Sequence, residues 1–192
     1  TYAAAAGVAV ASHLGITLDA AVAGLSSYTT PPGRMRVFPG IKGSVIIDDT
    51  YNSSPVAAEH AIETLAVTKH AKRRIAVMGD MLELGKYSSE EHKKIGAKLA
   101  DNFDILLTVG VRARLFAEGA LNNGMDESKI FQYEKVDRAG RELQAMLKPG
   151  DVILVKASQG IRAERIVEEV MLQPERATEL LVRQDTIWKT KG

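Results

Sequence analysis

Four short stretches of the chain are almost continuously apolar rather than alternating: residues 44–47, 75–78, 105–109 and 152–155. Such runs predict strands covered on both faces, as in a parallel sheet. Residues 130–133 add a weaker fifth strand, and residues 35–41 an edge strand. Between the runs, apolar residues recur three and four apart: Ala58, Ala61, Ile62 and Leu65, then Ile95, Leu99 and Phe103, then Leu143, Met146 and Leu147. These predict amphipathic helices. Ser54 followed by Pro55 is a start signal, Ser88 with Glu91 reads as a capping box, and Asn123-Gly124 ends the third helix. Strand and helix alternating at this spacing predict right-handed crossovers and a doubly wound, mostly parallel α/β sheet.

The flanks follow a different pattern. Residues 2–14 form a small-residue helix stopped at Gly15, and Thr17 caps a second helix running to about Gly24. Residues 26–33 (SSYTTPPG) are turn formers with two prolines, as in a linker. The expected organisation is therefore a helical stub with its linker over 1–32, a main domain over 33–172, and a tail over 173–192. In the tail, Leu180, Leu181, Ile187 and Trp188 lie at roughly helical spacing, which predicts a packing helix.

Composition narrows the class. The 192 residues are 45% hydrophobic and 26% charged, ordinary for a folded globular chain. A net charge of +1, without a basic stripe, argues against nucleic acid as a partner. The absence of cysteine excludes disulfides and thiolate metal sites, and His13, His60, His70 and His92 have no ligand spacing, so no metal site is expected. The alanine-rich residues 1–11 lack both a basic leader and the length of a membrane span. A cytoplasmic protein with no membrane span is expected.

In doubly wound sheets, ligands bind beyond the carboxyl ends of the strands. The first central strand ends in Asp48-Asp49. A carboxylate there can accept hydrogen bonds from ribose hydroxyls, or can cap the turn. The last strand ends in Lys156, followed by Ala157, Ser158, Gln159 and Gly160 before a helix. A cation and a hydroxyl at that point can hold an anion, although Lys156 also fits a solvated strand end. Residues 79–88 (GDMLELGKYS) imitate a P-loop, but five residues separate the glycines and Tyr87 stands where the Mg-binding hydroxyl belongs. No other phosphate cradle occurs.

Taken in order, GRM at 33–35, DDTYNSSP at 48–55, GDMLELG at 79–85 and KASQ at 156–159 resemble the carboxyl-terminal domain of the Mur ligase family, in the branch that handles D-alanyl-D-alanine. The resemblance runs from about Gly33 to Met171. It implies a Rossmann-like domain preceded by the end of a central ATPase domain that carries the phosphate cradle and Mg2+. It implies a monomeric ATP-dependent ligase of peptidoglycan synthesis, joining D-alanyl-D-alanine to UDP-N-acetylmuramoyl-tripeptide through an acyl phosphate. No catalytic residue is assigned within this stretch, and the chain alone is expected to be inactive. The resemblance places Asp49 on the ATP ribose, Asn52 near the adenine and Arg34 on the phosphate side, where a guanidinium fork suits phosphate; the alternative for Arg34 is a linker charge in solvent. Lys156 and Ser158 would face the peptide substrate, and Glu83 the dipeptide ammonium; the alternative for Glu83 is a surface-loop carboxylate. KASQ departs from the commoner KGSR at Ala157 and Gln159, so Arg162 is the expected substitute for the missing arginine. Two alternatives remain: a related amide ligase of the folylpolyglutamate synthase type, against which GDMLELG weighs, and a stand-alone nucleotide-binding module.

Overall fold

The computed structural model describes residues 2–68 and 71–190. His70 lies outside the described residues. Two compact units are formed, residues 1–31 and 32–192.

In the first unit, α1 (Tyr2–His13) and α2 (Leu18–Leu25) contact each other across a turn in which Gly15 takes a φ of 80°. The Thr17 hydroxyl caps α2 by accepting from the Ala20 amide at 3.3 Å. No residue of α2 is buried. A fully buried aliphatic side chain contributes about 1.5–3 kcal/mol, and α2 gains none of this.

The second unit is a six-stranded sheet: β1 (Arg36–Pro39), β2 (Val45–Asp49), β3 (Arg73–Gly79), β4 (Ile105–Val109), β5 (Ile130–Tyr133) and β6 (Asp151–Lys156), in the order β1-β2-β6-β3-β4-β5. Only β1 runs antiparallel. Both faces of the central strands β2, β6, β3 and β4 are covered, which is why their middle residues are largely apolar, whereas the edge strand β1 alternates between half-buried and exposed residues. Ala76, Met78 and Leu154 pack on one face with α3 (Pro55–Ala66), α4 (Ser88–Asn102) and α5 (Arg114–Asn122). Ile75, Val77, Ile153 and Val155 pack on the other with α6 (Val136–Met146) and α7 (Glu164–Val170). The strand period of two thus divides each strand between two cores.

Ser54 and Pro55 open α3 as expected, the Ser54 hydroxyl accepting from Ala57 N at 3.4 Å. The capping box at Ser88 does not form. A 3-10 turn, Gly85–Tyr87, leads directly into α4, so Ser88 is already helical and its carbonyl accepts from His92 Nδ1 at 2.6 Å. The tail departs too. Instead of one packing helix there are two four-residue helices, α8 (Ala177–Leu180) and α9 (Thr186–Lys189), separated where Arg183 takes a φ of 58°. Leu180 and Leu181 enter the core, whereas Ile187 is 69% exposed.

Candidate functional site

β2 leads into α3 on one face of the sheet, while its neighbour β6 leads into α7 on the other. Their carboxyl ends therefore diverge, and a crevice opens between them. The register sets Asp49 beside Lys156. Side chains alternate along β2, so the two aspartates meet different surroundings.

Asp48 is fully buried. Its Oδ2 accepts from the Gly33 amide at 3.1 Å, and its Oδ1 accepts from the Thr50 amide at 3.1 Å and the Thr50 hydroxyl at 2.6 Å. Burial pushes this carboxyl above the usual range, opposed by those hydrogen bonds. Asp48 ties the Gly33 turn to the loop after β2. That turn requires glycine, since φ is 70° and a Cβ would lie 2.9 Å from Tyr51 N. Asp49 faces the crevice, its side chain 13% exposed. One oxygen accepts from Met35 N at 3.1 Å, and the other meets Lys156 Nζ at 2.5 Å. Lys156 Nζ also donates to the Asn52 carbonyl at 3.0 Å. Each carboxylate oxygen of Asp49 keeps a lone pair for a ligand.

Two clefts share the loop 51–54. The first, about 480 Å³, is lined by Arg34, Asp49, Asn52, Ala57, His60 and Lys156 among others. The Arg34 guanidinium stacks on the Tyr51 ring, 4.1 Å from its centroid. The second, about 730 Å³, lies across the loops after β2, β3 and β6, with Leu82, Glu83, Gln159 and Trp188 on its walls. Ser158, 3% exposed, joins those three loops. Its amide donates to the Asp80 carbonyl at 3.0 Å, and its hydroxyl accepts from Leu82 N at 2.9 Å and donates to the Ser53 carbonyl at 3.3 Å. Glu83 lies in this loop with a φ of 65°, a conformation few non-glycine residues adopt. Ala157 is fully buried where a Cβ on Gly79 would approach its own to 2.6 Å. Gly79 thus makes room for the alanine of KASQ.

Arg162 is not in either cleft. Its Nε donates to Glu164 Oε1 at 2.6 Å and its Nη1 to the Trp188 carbonyl at 2.5 Å, while Glu164 has no exposure at all. Arg183 completes the cluster: its Nε stands 3.7 Å from Glu164, and its Nη groups donate to the Thr50 and Tyr51 carbonyls at 2.6–3.3 Å. Behind the second cleft, His92 is buried with Nε2 accepting from Met81 N at 3.0 Å, and Asp80 accepts from Ala113 N at 2.7 Å. Burial holds the His92 pKa below its ordinary value.

The structure thus brings Arg34, Asp49, Asn52 and Lys156 together around one cleft and Glu83 and Ser158 around the next. Sequence reasoning missed Tyr51, Arg183 and the cleft-facing place of Trp188. A lone tryptophan in a polar tail was the available signal.

A strand-end carboxylate facing a crevice at the point where a doubly wound sheet changes sides defines a ligand-binding α/β domain. The family model described as Mur ligase, glutamate ligase domain, matches residues 33–159, and the chain belongs to that family. The UDP-N-acetylmuramoyl-tripeptide--D-alanyl-D-alanine ligase of Bacillus subtilis is 31% identical over 88% of this chain and 37% of that protein. Among solved structures, the MurF ligase from Thermotoga maritima in complex with ADP superposes with a TM-score of 0.70 at 32% identity, covering 90% of this chain and 36% of that one. MurF from Acinetobacter baumannii gives 0.75 at 30% identity, over 85% and 36%. The chain spans little more than a third of the length of these relatives.

Proposed function

We propose that residues 33–172 serve as the carboxyl-terminal domain of an ATP-dependent ligase that joins D-alanyl-D-alanine to UDP-N-acetylmuramoyl-tripeptide. The first cleft takes the nucleotide and the second the incoming dipeptide. The observation that carries this reading is the setting of Asp49: a carboxylate held by a backbone amide and a buried ammonium, with free lone pairs facing a cleft of about 480 Å³. That volume suits a small-molecule site, roughly 300–1,000 Å³. It also fits the ADP named for the Thermotoga maritima relative.

In this reading Asp49 accepts from the ribose hydroxyls, Asn52 lies near the adenine, and Arg34, stacked on Tyr51, faces the phosphates. ATP supplies the phosphoryl group, with Mg2+ and its cradle in the preceding central domain that the family resemblance implies. Glu83 lines the second cleft and attracts the dipeptide ammonium. For Lys156, contacts with Asp49 and the Asn52 carbonyl support a share in the nucleotide cleft, next to the peptide end. Ser158 shapes the peptide cleft through its three loop contacts. Arg162 acts from behind, through Glu164 and the Trp188 backbone. The protein works as a cytoplasmic monomer, where ATP is at hand; no helix among the described residues is long and apolar enough to cross a membrane.

The test is an NMR titration of the labelled chain with ADP. Amide shifts at Asp49, Tyr51 and Asn52 are expected. Shifts confined to the β4–β5 end of the sheet, or none at millimolar ADP, overturn the reading.

A further inference from the structure

We infer that Trp188, carried on the C-terminal tail, is the wall of the second cleft against which the small side chains of the incoming peptide pack. The inference rests on the reading of that cleft as the acceptor site. Along its lining, Glu83 is the charged side chain, and Leu82, Leu84, Tyr51 and Trp188 supply apolar surface. Asn52, Ser54 and Gln159 add uncharged polar groups, and a cleft that combines one carboxylate with apolar and hydrogen-bonding walls suits a ligand with an ammonium, peptide groups and small aliphatic side chains: the amino end of a short peptide.

Trp188 is held firmly enough for that role, by its backbone and by its ring. Its own amide donates to Asp185 Oδ1 at 3.0 Å and its carbonyl accepts from Arg162 at 2.5 Å. The guanidinium carbons of Arg162 and Arg183 lie 5.4 and 5.7 Å from its ring centroid. Those cations are fixed in turn by fully buried Glu164, and Arg183 grips the Thr50 and Tyr51 carbonyls. The tail is therefore anchored to the loop that separates the two clefts. A rigid aromatic face costs little entropy when a ligand packs on it.

The experiment compares D-alanyl-D-alanine with glycyl-glycine, which keeps the ammonium and lacks both methyl groups. Binding of each is followed by ligand-observed NMR in the unaltered chain, Trp188→Ala and Trp188→Phe, with ADP affinity measured alongside. The unaltered chain should prefer the alanyl dipeptide by about tenfold or more. Trp188→Ala should erase that preference while ADP affinity stays the same, and Trp188→Phe should keep most of it. Loss of ADP affinity in Trp188→Ala marks a disturbed fold, and the phenylalanine variant, whose aromatic face is shorter, then decides by a reduced preference at normal ADP affinity. Undiminished preference in both variants overturns the role of Trp188 while leaving the acceptor site standing. If the unaltered chain binds ADP but neither dipeptide, the acceptor reading falls and Trp188 with it.

Discussion

Replacing Asp49 by asparagine removes the charge that faces a buried ammonium. The Lys156 side chain is 1% exposed, and its remaining partner is the Asn52 carbonyl at 3.0 Å. Breaking a buried pair from one side typically costs about 3–5 kcal/mol, mostly for the charge left behind. Asp49→Asn should fall in that range, with some relief because the cleft admits water. Lys156→Met leaves the charge on Asp49, which is 13% exposed and keeps its bond from Met35 N, so a smaller loss of about 1–3 kcal/mol is expected. Combined, the two changes replace the pair by uncharged groups, and the double variant should be more stable than the sum of its parts by about 2 kcal/mol. Asp48→Asn supplies the comparison. It turns a donor toward the Gly33 or Thr50 amide, at about 1–3 kcal/mol, and its carboxyl is already pushed toward neutrality by burial. Urea unfolding followed by circular dichroism measures all four, and ADP titration is run where each is folded. Charge-assisted hydrogen bonds are worth roughly 1.5–3 kcal/mol, so Asp49→Asn should bind ADP at least about tenfold more weakly. Strict additivity of the stability losses, or an unchanged ADP affinity in folded Asp49→Asn, would refute the assigned geometry.

Acid should weaken the fold through His92. Its neutral ring accepts from Met81 N and its pKa is lowered by burial, so its contribution is complete above the unfolded value of about 6.5 and is lost as pH falls through it, at up to about 1.4 kcal/mol per pH unit; His92→Gln should flatten that part of the stability profile, and an unchanged slope counts against it. Gly96→Ala drives a Cβ into the Phe116 carbonyl between α4 and α5, so the melting temperature should drop by several degrees, for about 1–3 kcal/mol; an unaltered melt shows that the helices can part without loss. Limited proteolysis should cut first within residues 26–33, where turn-forming residues join the two units, and cleavage starting inside the sheet would contradict that. No phosphate release should be measurable from this chain with ATP, the tripeptide precursor and D-alanyl-D-alanine, since it lacks a phosphate cradle; turnover at enzymatic rates would sink the assignment.

The sheet was readable because burial on both faces writes nearly continuous apolar runs, as at Ile105–Val109, where Thr108 is the one polar residue and expectation and strand coincide. The place of Asp49 beside a cleft was readable for a different reason: in a doubly wound sheet the topology opens a crevice at the strand ends whatever the local residues. The choice between Asp48 and Asp49 was open to inspection only through pairing, because nothing local distinguishes two adjacent carboxylates. Contacts distant in sequence left no trace of periodicity. Lys156 reads either as a cation that holds an anion or as a solvated strand end until Asp49, 107 residues away, is set beside it. Arg183 reads as a tail charge, yet its partners Thr50 and Tyr51 are more than 130 positions earlier. The reciprocal approach of Gly96 and Gly119 on α4 and α5 is equally silent, since glycine in a helix usually signals only weakness.

The late insertion of β6 has a consequence for how the chain is made. It is the last strand in sequence but takes a central position, between β2 and β3. A ribosome adding about 5–20 residues per second needs on the order of 5 to 20 s to travel from Asp49 to Lys156. Throughout that interval β2 has a raw edge facing a gap, joined by that of β3 once residues 73–79 are made, and an unpaired edge is an invitation to a second chain. A newly made copy is therefore most vulnerable to aggregation just before residues 151–156 emerge. Truncations ending near residue 150 should precipitate, whereas those reaching past Leu181 should not.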